Sequence, residues 1–492
     1  MKVLSADLLQ ILDACGFNAA RLAHKRQISY LQGYLYDMRA KTAVIEEDYT
    51  DRGYLEDYST YYSRCARYDS RFCFRVHFFQ KDYSKTDIVK IITGEAPAGV
   101  AECEESYIGF VVLRPLPESV LGRTCLRTYV GVPQRQYRAL REVCVSFFGL
   151  PLRIQCMPFQ EQDRAVAACA TCALWAAFQV TAEKFGHAVY SPSRITELST
   201  EHGLSLTRKL PNHCLSSCDM VYAIRKVGLD PLYIALPKVG VAYRRSVLLG
   251  NIYSYLHAGI PVVLLVEKLP KDEFSSCGHA LVVNGYCAPA SSQSNGLTAE
   301  CITKIYANDD QLGPYVRMKF GSGDSLVVNW TDENQMVQTN VFLPVGLLIP
   351  LYHKIRVSYD DIWGTAYALE KMLKSFTRFG QTAKLCWDIH LQTICGFKDK
   401  IRQDGRLSRE VKLGLLISGY PKYMWEVSIS WNNVQSAVFY IDATDSGQGL
   451  SVVAALFYTQ DVVERVKQVY DDVTAVAANP LCVACMEAVK ET

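Results

Sequence analysis

The chain has 492 residues and a mass of 55.3 kDa; 49% of the residues are hydrophobic, 21% are charged, and 52 Lys and Arg against 50 Asp and Glu leave a net charge of +2. That balance provides no electrostatic surplus for holding a nucleic-acid backbone or an anionic membrane by bulk charge. Length alone predicts about three domains, and the 18 cysteines, scattered over a chain of this size, read as reduced thiols of a cytoplasmic protein rather than a disulfide framework.

The first residues, MKVLSADLLQILDACGF, interrupt an amphipathic pattern with Asp7 and Asp13, which predicts a surface helix and not a secretory signal. Helical patterning continues through SYLQGYLYDMRAKTAVIEEDY. Two strands follow, FCFRVHFF at 72–79 and YIGFVVLRPLP at 107–117, the second ended by prolines. Residues 1–150 therefore read as an α+β unit with no catalytic spacing, and Arg114, Arg123 and Arg127 as a solvated face.

From residue 151 the texture changes. Residues 164–185 carry no Gly or Pro, are apolar on nearly every side and stop at Gly186, the pattern of a buried helix with a glycine terminator. CDMVYAIRKVG is a second helix and DPLYIAL a short strand. NIYSYLHAG is a helix leading into IPVVLLVEK, a continuous apolar run typical of a buried strand. GHALVVNGY (278–286) and KIYANDD (304–310) are further strands, separated by the polar insertion APASSQSNGLTAE. VFLPVGLLIPLY at 341–352 is too short for a bilayer and is broken by Pro344 and Pro350, so no membrane span is expected. Beyond 352, WEVSISW and AVFYIDAT predict a hairpin and DVVERVKQVYDDVTAV an amphipathic helix.

Chemistry concentrates in the middle region. Cys169 lies in the helix, His279 on a strand entered by a glycine, and Asp309 or Asp310 at the end of the next strand. A thiol nucleophile needs this set: a helix dipole and an imidazole to favour the thiolate, and a carboxylate to orient the imidazole. Gln162, seven residues before Cys169, is placed to offer an amide to a developing oxyanion. Cys172, one helical turn on and just before Trp175, is the rival nucleophile. Each residue alone has a plainer reading as a core cysteine, a strand histidine or a turn aspartate.

Four segments in order resemble the papain-like cysteine peptidases, and within them the double-glycine leader peptidases of bacteria. These are QDRAVAACATCALW, LHAGIPVVLLV, GHALVVNGY and YANDDQLGPY, and the resemblance covers about residues 151–350. The resemblance implies a papain-like α+β core, a central helix packed on an antiparallel sheet, between accessory domains at 1–150 and 353–492. It also implies peptide-bond hydrolysis through an acyl-enzyme, with Cys169 as nucleophile, His279 as base and acid, Asp309 as its orienter and Gln162 in the oxyanion hole. The Cys169–His279 spacing of 110 is shorter than the roughly 130 to 150 of papain itself. The chain departs from the family in flanking Cys169 with Ala168 and Ala170, and with Asp163 as helix cap Cys169 would fall in the second turn, where fewer free amides face it.

The resulting expectation is a cytoplasmic cysteine peptidase acting on a protein or peptide, with a regulatory protein partner and no cofactor, metal, nucleic acid or membrane. Two other readings stay open: acyl transfer to an amine, as transglutaminases perform with the same residue order, and a binding protein on a degenerate peptidase fold. Cys482 and Cys485 form a CxxC with no second pair nearby, Cys214 with Cys218 and Cys277 with His279 read as core packing, and no phosphate-binding glycine motif is present.

Overall fold

The first residues of the computed structural model form not the surface helix expected of them but an edge strand, Lys2–Ser5, paired antiparallel to Thr42–Tyr49. Only Leu8–Ala14 is helical in this stretch, with the Asp7 carboxylate accepting the amides of Leu9 and Gln10. Helical patterning also fails at Thr42–Tyr49, where Ala43, Val44 and Ile45 are fully buried and β-branched side chains suit a sheet better than a helix. With Cys73–Phe79, Tyr107–Leu113 and Leu121–Leu126 these two strands make a five-stranded antiparallel sheet whose spatial order follows the chain. The structure describes residues 1–66, 70–163, 165–203, 208–212, 214–236, 240–269, 278–289, 296–375, 384–445, 449–470 and 479–491. Cys277, residues 290–295 of the polar insertion and 471–476 of the expected C-terminal helix lie outside them.

A second sheet takes its strands from the middle region. Val262–Leu269, His279–Cys287, Lys304–Asp309, Gly313–Phe320, Leu326–Thr331 and Val337–Leu351 follow one another. The last pairs back onto the first, with Val263 opposite Leu348, so the sheet closes on itself. Closure removes the free edges and buries the apolar runs seen in the sequence. Cys169–Phe185 packs as a nearly all-buried helix and ends at Gly186, whose φ of +78° is the left-handed conformation a glycine supplies without strain.

The chain divides into two compact units, residues 1–236, 261–286 and 304–350 in one and 237–260, 287–303 and 351–492 in the other. Three domains were expected, with a boundary near residue 150. One core crosses that position: Val44, Phe79 and Phe110 of the N-terminal sheet pack with Ile154, Cys156, Val166 and Cys172. The second unit holds a five-stranded sheet containing the expected hairpin, Tyr423–Trp431 with Val434–Asp442. Within it, Gly250 leaves room for the Tyr359 ring, since a Cβ there would lie 2.3 Å from the Tyr359 hydroxyl. Among the described residues no helix is long and apolar enough to cross a membrane.

The arginines read as a solvated face are largely engaged. Arg114, 1% exposed, donates to the carbonyls of Ser119 at 2.9 Å and Glu161 at 3.2 Å and stands 3.5 Å from the Asp163 carboxylate. Arg123 pairs with Asp51 at 2.9 Å, and Arg127 donates to the carbonyls of Glu104 and Glu105. Position explains Arg114: it follows Tyr107–Leu113, a strand buried along its whole length, so its side chain starts inside the core. Arg114→Met should destabilise the protein by about 3 to 5 kcal/mol, because Asp163 is left buried without its counter-charge; chemical denaturation monitored by circular dichroism measures the change.

Candidate active site

The helix that carries Cys169 starts at Cys169 itself, five residues later than its composition suggested. Asp163 does not cap the helix directly; its Oδ1 accepts the amides of Ala165, Val166 and Ala167, each at 2.9 Å, and its own amide donates to the Ala167 carbonyl at 3.2 Å. That knot folds the approach segment onto the Asp163 carboxylate, and Ala168, in extended conformation, occupies the cap position with no side-chain hydrogen bond. Cys172 is the first residue of the helix to close a helical bond, to the Ala168 carbonyl at 3.0 Å. Cys169, Ala170 and Thr171 therefore lie in the first turn, whose amides have no intrahelical acceptor, at the positive end of the helix dipole. The second-turn placement, which weakened the case for an oxyanion site, is thus corrected.

The first turn is pinned from the side. The Thr171 and Thr196 hydroxyls are 3.0 Å apart, and Thr196 donates to the Val166 carbonyl at 2.7 Å, tying the helix start and its approach segment to the neighbouring helix Pro192–Thr200.

His279 opens its strand close enough to Cys169 for the thiol to favour its charged form. Its Nε2 lies 2.9 Å from Asp309 Oδ1, its Nδ1 lies 3.5 Å from the Gln311 side-chain nitrogen, and its ring stacks on Phe342 with centroids 5.9 Å apart. Burial by itself would favour the neutral ring. The Asp309 charge and hydrogen bond, the Cys169 contact and the Asp310 charge outweigh it and hold the imidazolium well above its ordinary range. Asp309 Oδ1 also accepts the Gln311 amide at 3.0 Å, which fixes the carboxylate on its turn.

The two alternatives within each pair separate clearly. Cys172 is 4% exposed, belongs to the hydrophobic core, and burial pushes its thiol well above the ordinary value, whereas Cys169 is partly accessible. Asp309 holds the short bond to the ring; Asp310 Oδ1 stands 3.9 Å from the same nitrogen, and burial pushes its carboxyl up to about 7. Gln162 sits partly buried in the approach segment, between two anchored neighbours. Glu161 takes the Leu121 amide at 3.2 Å and an ion pair from Lys25, and Asp163 makes the knot described above. Among the described residues no hydrogen bond joins the Gln162 side chain to Cys169.

Sequence reasoning passed over the residues that align these parts. Asn308 donates to the Met157 and Pro158 carbonyls at 3.3 and 3.1 Å and accepts from Asn284 at 3.0 Å and from the Tyr315 amide at 3.1 Å. This buried network joins the His279 strand, the Asp309 strand and the segment entering the Cys169 helix. The signal was present: an amide side chain within an apolar strand must find partners, and Asn284 and Asn308 both sit in such runs.

Next to this arrangement, helix Arg26–Asp37 lies against the turn after Asp309. Gln27 donates to the Asp310 carbonyl at 3.2 Å and the Tyr30 hydroxyl to the Pro314 carbonyl at 3.0 Å, while Gly313 leaves space that a Cβ would close at 2.2 Å from the Tyr30 ring. The same Tyr30 borders a groove of about 760 Å³ lined by Tyr34, Tyr36, Tyr129, Trp330 and Arg317. Neither Cys169 nor His279 lines that groove. No protein-family model matches the chain, and no curated protein matches it.

Proposed function

We propose that the chain is a cysteine peptidase in which Cys169, His279 and Asp309 act as nucleophile, acid–base and orienting carboxylate. One observation carries this reading: a partly accessible thiol in a first helical turn neighbours a buried imidazole whose Nε2 is 2.9 Å from a buried carboxylate. Transfer of the Cys169 thiol proton to His279, whose charged form Asp309 favours, makes the nucleophile. The thiolate attacks a peptide carbonyl carbon, and the charge that develops on the carbonyl oxygen is met by first-turn amides and the Gln162 side chain. The imidazolium gives its proton to the departing amine as the C–N bond breaks. Water, deprotonated by the now neutral ring, then cleaves the thioester and restores the pair.

A papain-like core is the architecture this chemistry suggests, with a central helix meeting an antiparallel sheet. The aromatic groove beside the catalytic turn suits a peptide segment better than a small polar substrate. Acyl transfer would use the same three residues with an amine in place of water.

Iodoacetamide at neutral pH should label Cys169 first, labelling should persist in Cys172→Ala, and Cys169→Ala should lose both labelling and cleavage of a peptide library. Isopeptide formation without cleavage would assign the site to acyl transfer, and full cleavage by Cys169→Ala would end the proposal. His279→Ala should slow alkylation and cleavage by about 10²- to 10⁴-fold.

The pH dependence has a definite sign. Asp309 raises the imidazolium above its ordinary range, so activity that needs the ion pair persists through neutral pH and falls only as His279 deprotonates on the alkaline side. Asp309→Asn removes the raising charge. The alkaline limb of the alkylation-rate profile should therefore move to lower pH, with a loss of rate at neutrality; an unmoved limb would separate Asp309 from the histidine.

A further inference from the structure

Beside the imidazole stands a carboxylate that the proposed chemistry does not use. Asp310 is 5% exposed, and neither of its carboxylate oxygens has a hydrogen-bond partner. Its Oδ1 lies 3.9 Å from His279 Nε2, the nitrogen that is also 2.9 Å from Asp309 Oδ1. A carboxylate buried without a donor is unfavourable unless it is protonated or matched by a cation. Here the orphaned group is aimed at a nitrogen already shared with a second carboxylate.

The geometry of the three groups is that of a metal-binding face. One ligand atom each from His279, Asp309 and Asp310 lies within 4.8 Å of the other two, and all three residues are buried. An ion at the centre of such a triangle is within about 2.8 Å of every ligand. Zinc bonds to imidazole nitrogen and carboxylate oxygen are about 2.0 to 2.2 Å long, so a contraction of less than about 1 Å per ligand completes the site. One imidazole and two carboxylates suit a borderline divalent ion such as Zn²⁺, whereas Ca²⁺ and Mg²⁺ favour more numerous, all-oxygen ligands.

We propose that His279, Asp309 and Asp310 form a Zn²⁺ site whose occupation switches the Cys169 thiol off. The ion takes the place of the proton on His279 Nε2, which leaves to solvent, and gives the Asp310 carboxylate a direct partner in place of a charge 3.9 Å away. Without metal, the ring is free to take up and release a proton. With Nε2 on the metal, giving up the Nδ1 proton would make an imidazolate, so the ring can neither protonate a departing amine easily nor accept a proton from water. The inhibitory consequence rests on the peptidase reading; the metal site does not.

Isothermal titration of the EDTA-treated full-length protein with Zn²⁺ at pH 7 tests the site, and Co²⁺ absorption tests its ligands. Wild type and Cys169→Ala should both bind, with proton release and d–d bands lacking a thiolate charge-transfer band. Asp310→Asn should bind at least about tenfold more weakly, and Asp309→Asn should also weaken binding if the first variant is poorly folded. No binding by wild type, undiminished binding by both variants, or loss of binding in Cys169→Ala overturns the proposal. Zn²⁺ should slow iodoacetamide labelling of wild-type Cys169, and EDTA should restore it. Binding with unchanged labelling removes the switch, while absence of labelling in the metal-free protein removes the peptidase reading instead.

Discussion

The buried amide pair Asn284 and Asn308 is the constraint on which the rest of the site depends. Side chains on a strand alternate between faces, so a slip of one residue would turn His279 away from the helix and Asp309 away from His279. Apolar packing resists such a slip only weakly here, because both strands are buried along most of their length and offer hydrophobic side chains to either face. An amide with two donors and an acceptor in the wrong place would lose several buried hydrogen bonds at once. The register is therefore set by polar groups inside an apolar sheet, and because Asn308 also holds Met157 and Pro158, the same network sets the level at which the chain enters the Cys169 helix.

Much of this was legible in the sequence wherever a single pattern determined the outcome. Continuous apolar runs gave Val262–Leu269 and His279–Cys287, the alternating hairpin gave Tyr423–Trp431 and Val434–Asp442, and Gly186 marked the helix end. Errors arose where local pattern and tertiary partner disagree. Residues 165–167 look helical by composition, yet the Asp163 carboxylate takes their amides instead. Lys2–Ser5 is too short to signal a strand and becomes one because Thr42–Tyr49 presents an edge. Arg114 reads as solvent-facing because arginines usually are, and only the three-dimensional neighbourhood supplies Asp163 and the Glu161 carbonyl. The grouping of Cys169, His279 and Asp309 was visible from their order and spacing; the distance between them belongs to the closed sheet.

Core packing crosses the boundary expected near residue 150. Length counts residues, but a domain is a core, and the N-terminal sheet buries its face with residues from 145 to 172 rather than with its own helices alone. The helix of the nucleophile is consequently seated against the N-terminal sheet as well as the closed one. This gives the N-terminal region a structural part in the site: Arg114 secures Asp163 from the end of the strand Tyr107–Leu113, and Lys25 secures Glu161. Gln162, between those two acidic residues, is positioned by cations that the sequence places some 48 and 137 positions upstream.

The start of the Cys169 helix shows how capping can be separated from the helix it serves. An ordinary cap would place a serine or aspartate at the residue before the first turn, and its side chain would occupy the amides of that turn. Ala168 has no such group. Asp163 instead takes the amides of three residues before the helix, so the approach is rigid while the first-turn amides remain available to a ligand. The same substitution of a distant anchor for a local one recurs at the histidine, where Asp309 is steadied by the Gln311 amide rather than by a donor from its own strand. In both places the polar group nearest the thiol is held from behind, which leaves its reactive side turned toward the sulfur. A site built this way is sensitive to its supports: loss of Arg114 or Asn308 would displace groups that never touch the thiol, and the geometry at Cys169 would change with them.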